Sequence, residues 1–218
     1  MTPTPRRSTA ANRRFTEELE KGVRALVRRD PVIRDLKRAA GIPTYLPRRD
    51  HFATLVTSIL SQQISGSAAK TIIGRVEEKA GGLSDPRLIA SLPDEILRGC
   101  GVSSQKLTYL RSLTEHIDDG RLELKRLSTL DDRTIIDELT AVKGIGVWTA
   151  QMFLMFSLGR LDVLPSDDLG VRNGIMKAYG LESPPKRNEI ERLGEERGWA
   201  PYRSIASWYM WRALELPV

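Results

Sequence analysis

Apolar residues return every three or four positions along most of this chain, which is the spacing of one face of an α-helix. In HFATLVTSILSQQ they fall at Phe52, Leu55, Val56 and Ile59, and in RTIIDELTAV at Ile135, Leu139 and Val142. Further on, Trp148, Met152 and Met155 share a face. The punctuation agrees with this period. Asp30-Pro31 opens VIRDLKRAA and Gly41 closes it: a capping acid, a proline at the first helical position and a terminal glycine. Ser65 or Ser67 caps AAKTIIGRVEEKA, which ends at Gly81, and Asp85-Pro86 opens a short helix. Ser103 caps SQKLTYLRSLTEHI, which stops before Gly120, and Asp131 or Asp132 begins the next helix. Later helices are expected near 167–179, 187–197 and 201–215. Alternating strands are absent, since the run 161–164 is too short to anchor a sheet. The pattern predicts an all-α fold.

Composition narrows the function classes. The chain has 218 residues, of which 40% are hydrophobic, enough for one large domain or two helical lobes around a shared cleft. The expected division is a basic, flexible tail over 1–14 and a domain over 15–218. Its first lobe includes about 50–165, and its second is built from the N- and C-terminal helices. A net charge of +6 favours anionic partners, chiefly nucleic acid or an anionic membrane surface, although ordinary solubility charge has the same sign. One cysteine, Cys100, makes no internal disulfide, and with two histidines, His51 and His116, it makes no typical zinc site. A four-cysteine iron–sulfur cluster is excluded. No apolar run spans a bilayer, and the start MTPTPRRSTAANRRF has no signal-peptide core. A monomer in a reducing, nucleic-acid-containing compartment is expected: cytoplasm and nucleoid, or nucleus, and not secreted.

The stretch AVKGIGVWTA, 141–150, sets two glycines around Ile145 between two helical patterns. Gly144 and Gly146 permit crowded backbone angles in a tight connection, and Lys143 adds charge beside it. The following helix, expected to begin near Ile145, presents free N–H groups of the kind that bind phosphate. Carbonyls of the turn can face one another and hold a monovalent cation. A tight αα-hairpin that serves packing alone has the same local sequence.

The wider pattern LTAVKGIGVWTA resembles the helix-hairpin-helix motif of the DNA glycosylase superfamily that joins it to a Gly/Pro-rich loop ending in an aspartate. That loop is present as RLDVLPSDDLGVR, 160–172. SILSQQIS (58–65), GVSSQKLTYL (101–110) and WAPYRSIASWYMW (199–211) match as well, in the right order. Within the superfamily the chain is most similar to the 3-methyladenine DNA glycosylase II branch. The resemblance implies a catalytic aspartate two positions after Pro165, at Asp167, with Asp168 structural. It implies a DNA-backbone grip at Lys143, Gly144, Ile145 and Gly146, and a sodium or potassium ion on the carbonyls of Thr140, Val142 and Ile145, with no cofactor required. It also implies a plug at Gln63 for the gap left by a flipped base, a wedge at Val102 and Ser103 and a structural Gln62. A base pocket then forms from Trp148, Met152 and Trp211. Bifunctional members carry a lysine two residues after the second hairpin glycine, and here that position is Trp148, which cannot form a Schiff base. The cysteines of the endonuclease III branch are missing, and the segment before residue 48 is too short and too helical for the N-terminal β-rich domain of some members.

These residue types suit the chemistry. An alkylated purine such as 3-methyladenine or 7-methylguanine is cationic and already a good leaving group. What the reaction needs is a carboxylate near an oxocarbenium-like sugar, a flipped-out base and aromatic faces for it. The expected activity is hydrolysis of the N-glycosidic bond in double-stranded DNA, leaving an abasic site. Two alternatives stay open: a same-superfamily enzyme for uracil, hypoxanthine or oxidised purines, and a non-catalytic helix-hairpin-helix DNA-binding protein. Arg172, Lys177 and Arg203 are candidates for phosphate contact or for a solvated surface.

Overall fold

The computed structural model describes residues 9–217, and among these every regular element is helical. In chain order the helices are α1 (Ala10–Arg29), α2 (Pro31–Ala40), α3 (His51–Ser61), α4 (Gly66–Ala80), α5 (Pro86–Ser91) and α6 (Asp94–Gly99). They continue with α7 (Ser104–Asp118), α8 (Asp132–Thr140), α9 (Val147–Phe153), α10 (Leu169–Tyr179), α11 (Arg187–Glu196) and α12 (Arg203–Glu215). Most of the expected caps form. Asp30 accepts from Val32 and Ile33 N–H, Ser65 from Ala68, Asp85 from Arg87, Ser103 from Lys106 and Asp131 from Thr134. Each satisfies an amide that the first turn of a helix leaves without a partner.

The chain divides into two compact units, 48–158 and the pair of segments 1–47 with 159–218. Residues 159–165, expected in the first lobe, group with the terminal segments. Of the tail expected over 1–14, residues 1–8 lie outside the described residues. Residues 10–14 are helical, because Thr9 accepts from Asn12 N–H and starts α1 there.

The terminal unit packs α1, α2, α10, α11 and α12 around Leu19, Val23, Leu26, Ile33, Val171, Ile175, Ile190 and Tyr209, all almost fully buried. Helix α10 lies so close to α12 that a Cβ on Gly174 would stand 2.0 Å from the Met210 carbonyl oxygen. Asp30, fully buried, is the polar knot of this core. Besides its cap it accepts from Tyr179 Oη at 2.5 Å and from Trp199 Nε1 at 2.8 Å. A buried carboxylate is tolerated when donors surround it in this way. Burial, followed by Asp30, holds the Tyr179 phenol well above its usual range.

In the middle unit α7 is the common neighbour of α3, α5 and α6. It buries Leu107, Leu110 and Leu113. Helix α9 starts at Val147, two residues later than expected, and is α-helical only to Phe153. A π turn over Leu154–Leu158 follows. That turn breaks the 3.6-residue register. Met155 is fully buried while Trp148, expected on the same face, is 52% exposed.

Candidate active site and nucleic-acid interface

The hairpin between α8 and α9 is anchored at Val142 and Ile145, both buried. Its two glycines do different things. Gly144 has φ +87°, and a Cβ there would lie 2.2 Å from the Tyr109 ring, so conformation and space both demand glycine. Gly146 is extended (φ −94°), and a Cβ there would meet nothing within 4 Å. The room beside Gly146 is thus open for another molecule's backbone. Lys143 donates its main-chain N–H to Ser112 Oγ at 3.0 Å, and its residue is exposed. No side chain caps α9. The Val142 carbonyl accepts from Ile145 N–H at 3.1 Å, which leaves its second lone pair, and Thr140 ends α8, where helix carbonyls lack intrahelical partners. Neutral oxygens of this kind fit a monovalent cation better than a transition metal.

Gln62 ends α3 and donates from Nε2 to the Gly144 carbonyl at 2.8 Å, the structural role expected of it. Gln63 follows with φ +56°, a left-handed conformation, and is exposed. A cavity of about 570 Å³ in this unit is lined by Arg48, Thr57, Gln62, Gln63, Trp148 and Met152, among others. Two of the three expected base-pocket residues and the expected plug therefore meet at one opening. Of the two residues of the expected wedge, Val102 is 3% exposed, while the exposed Ser103 has its hydroxyl on Lys106 N–H as the α7 cap.

In the terminal unit the proline loop enters α10 through Ser166, Asp167 and Asp168. Ser166 is buried and donates to Glu191 Oε1. Asp168 is the helix cap: its Oδ1 accepts from Val171 N–H and from Trp211 Nε1, each at 2.7 Å. Asp167 caps nothing. Its side chain is 67% exposed, with Oδ2 3.2 Å from Arg187 Nη1. Arg187 also donates from Nε to Glu191 Oε1 at 2.9 Å, and that bond, followed by the charges of Asp167 and Glu191, raises its pKa. Trp211, expected as a pocket wall, is half-buried, and its ring crowds Gly170, where a Cβ would lie 2.7 Å from Cδ1. Its visible work is to hold the Asp168 cap. The three surface cations are engaged within the unit: Arg172 with the Pro185 carbonyl, Lys177 with the Leu216 carbonyl and Arg203 with Asp162.

Sequence reasoning missed Arg187, 20 positions from Asp167 and joined to it only by folding. It missed Lys106, Tyr109 and Ser112 as well, whose three-residue spacing on α7 was the available signal.

Two tightly joined helices around K-G-I-G, with a proline loop that carries paired aspartates, define a helix-hairpin-helix protein of the kind that acts on DNA. Residues 56–199 match the family model of the HhH-GPD superfamily base excision DNA repair protein, and the chain belongs to that superfamily. DNA-3-methyladenine glycosylase 1 of Schizosaccharomyces pombe is 34% identical over 174 residues, covering 78% of this chain and 75% of that protein. The crystal structure of DNA-3-methyladenine glycosidase from Bacillus halodurans matches with a TM-score of 0.80 at 40% identity, over 88% of each chain. The S. pombe 3-methyladenine DNA glycosylase Mag1 in complex with abasic DNA matches with a TM-score of 0.77 at 32% identity, over 90% of this chain and 97% of that one.

Proposed function

We propose that the protein is a monofunctional DNA glycosylase that hydrolyses the N-glycosidic bond of alkylated bases in double-stranded DNA and leaves an abasic site. The observation that carries this reading is the opening beside the hairpin, where Trp148, Met152 and Gln63 converge. A cationic base set against the exposed face of Trp148 gains about 0.5–2 kcal/mol from the ring quadrupole. A neutral indole in the position where bifunctional relatives carry a lysine supports hydrolysis by water without strand cleavage. In this reading the open side of Gly146 and the exposed Lys143 receive the phosphate backbone, Gln63 fills the gap in the stack, and the Asp167 carboxylate stabilises the cationic sugar. Carbonyls of Thr140, Val142 and Ile145 would hold a sodium or potassium ion, which would stiffen the turn.

The Asp167–Arg187 pair is exposed on both sides, and such pairs are worth about 0–1 kcal/mol. A carboxylate so loosely held is free to turn toward a developing positive charge. A second reading assigns the reactive carboxylate to Asp168, favoured by the two donors that hold it still.

The test is incubation with methylated duplex DNA and chromatography of the released bases. Free 3-methyladenine together with an intact strand, which breaks only on heating or in alkali, is the expected result. Spontaneous nicking would overturn the monofunctional reading, and release of uracil or hypoxanthine in place of alkylated bases would overturn the substrate class.

A further inference from the structure

Lys106 is a charged side chain only 9% exposed, and nothing in the reaction calls for it. Its ammonium donates to the Leu60 carbonyl at 2.7 Å, at the C-terminal end of α3, immediately before Gln62 and Gln63. A cation at a helix C-terminus meets the negative end of the helix dipole. Burial holds its pKa below the usual lysine range, so the ammonium sits there at an energetic disadvantage. A buried charge is a weak source of stability; what it supplies is a fixed position.

The next residues on the same face of α7 reach the hairpin. Tyr109, three positions on, lies under Gly144, and its hydroxyl accepts from Gln105 Nε2 at 2.6 Å, which fixes the ring. Ser112, three further, receives the Lys143 N–H at 3.0 Å. Gln62 closes the circuit by donating to the Gly144 carbonyl at 2.8 Å. One helix face thus sets both the end of α3 and the hairpin, and a side chain from the first is bonded to the backbone of the second.

We propose that Lys106, Tyr109 and Ser112 are positioning residues that form a rigid platform between the Gln63 loop and the Lys143–Gly146 hairpin, so that gripping the strand and prising open the base stack are one coupled event. The proposal rests on the reading of Gln63 as the plug.

The test is a double-variant cycle on binding to a duplex that carries an abasic-site analogue beside a 2-aminopurine, with anisotropy reporting affinity and 2-aminopurine fluorescence reporting unstacking. Lys143→Ala and Gln63→Ala are measured singly and together in the full chain, and the square is repeated in Lys106→Met and Ser112→Ala backgrounds. In the wild-type background the double variant should depart from the product of the singles by roughly five-fold or more. In either platform background that departure should shrink to within about two-fold. Lys106→Met keeps most of the unbranched side chain, one atom shorter, and removes the donor. Should it fail to fold, Ser112→Ala, at a half-exposed position, decides alone. Coupling that persists undiminished in the folded platform variants overturns the proposal, as does its absence from the wild-type square while Gln63→Ala by itself lowers both signals. If Gln63→Ala moves neither affinity nor fluorescence, the plug reading has failed, and the platform's purpose fails with it.

Discussion

At the hairpin, the backbone is supported from several sides: Ser112 accepts from the Lys143 N–H, Gln62 donates to the Gly144 carbonyl and Tyr109 fills the space under Gly144. At the proline loop, Ser166 and Asp168 are bonded inward, while Asp167 between them stands exposed against Arg187. The difference fits the work proposed for each region. In the proposed reading, a surface that recognises the regular phosphate backbone works by fixed shape, and support from three side chains keeps that shape. In the same reading, the carboxylate that answers a transient charge is an exposed tip on a rigid base. Here the base is α10 packed on α12, with Trp211 bracing the cap, and the tip is one residue wide.

Breaking that base should have the largest effect on stability. Gly174→Ala sets a methyl group against the Met210 main chain, which cannot yield as a flexible side chain would. A loss of about 3 kcal/mol or more is expected, roughly 6–12 °C in melting temperature by calorimetry. A melting temperature within a degree of wild type would show that α10 and α12 are not held so closely. Gly144→Ala attacks the other region, where the added methyl group would meet the Tyr109 ring and φ is left-handed. Affinity for undamaged duplex should fall by about ten-fold, with roughly 1–3 kcal/mol of strain. Unchanged binding would remove the hairpin from the interface.

Smaller effects sharpen the contrast. Trp148→Ala should lower kcat/KM for a cationic base by roughly 2–30-fold and for neutral hypoxanthine by less. Equal losses for both would mean that the indole contributes shape alone. His51 tests support at a distance from the chemistry. Ser157 gives its one hydroxyl proton to the Arg48 carbonyl at 2.8 Å, so it accepts the Nδ1–H of His51, also at 2.8 Å. Burial lowers the His51 pKa below 6.5, opposed by Asp50 and aided by Arg49. With the folded value depressed, the unfolded state binds the proton more readily. Stability is then fully present above pH 6.5 and declines as pH falls through the lower, folded value. Between pH 7.5 and about pH 5, the melting temperature of His51→Gln should fall less than that of wild type. An identical pH slope for the two proteins would rule out this contribution.

Much of this was legible in the residues. Local chemistry marks helix ends well: the acid or serine before each of five helices took its expected amides, because a cap depends on neighbours only two or three positions away. Helix α1 was foreseen only in outline, although Leu19, Val23 and Leu26 carry its apolar stripe; the surrounding charges read as tail and concealed its start. The π turn after α9 left no trace in a pattern that still looked helical through Met155. Val102 was implied as a wedge by the resemblance alone, and its burial has no local sign in the loop sequence. The choice of cap between Asp167 and Asp168 depended on the loop's path, and the Arg187 pair on a helix 20 residues away.

The account is tested most directly by single-turnover release of 3-methyladenine from duplex DNA by Asp167→Asn, with DNA affinity measured in parallel. Loss of the Asp167 charge should cost about 10²–10³-fold in rate, and binding, which the proposed reading assigns to the hairpin, should stay within a few-fold of wild type. Release at the wild-type rate, or a collapse of Asp168→Asn activity that Asp167→Asn does not share while both proteins remain folded, would contradict it.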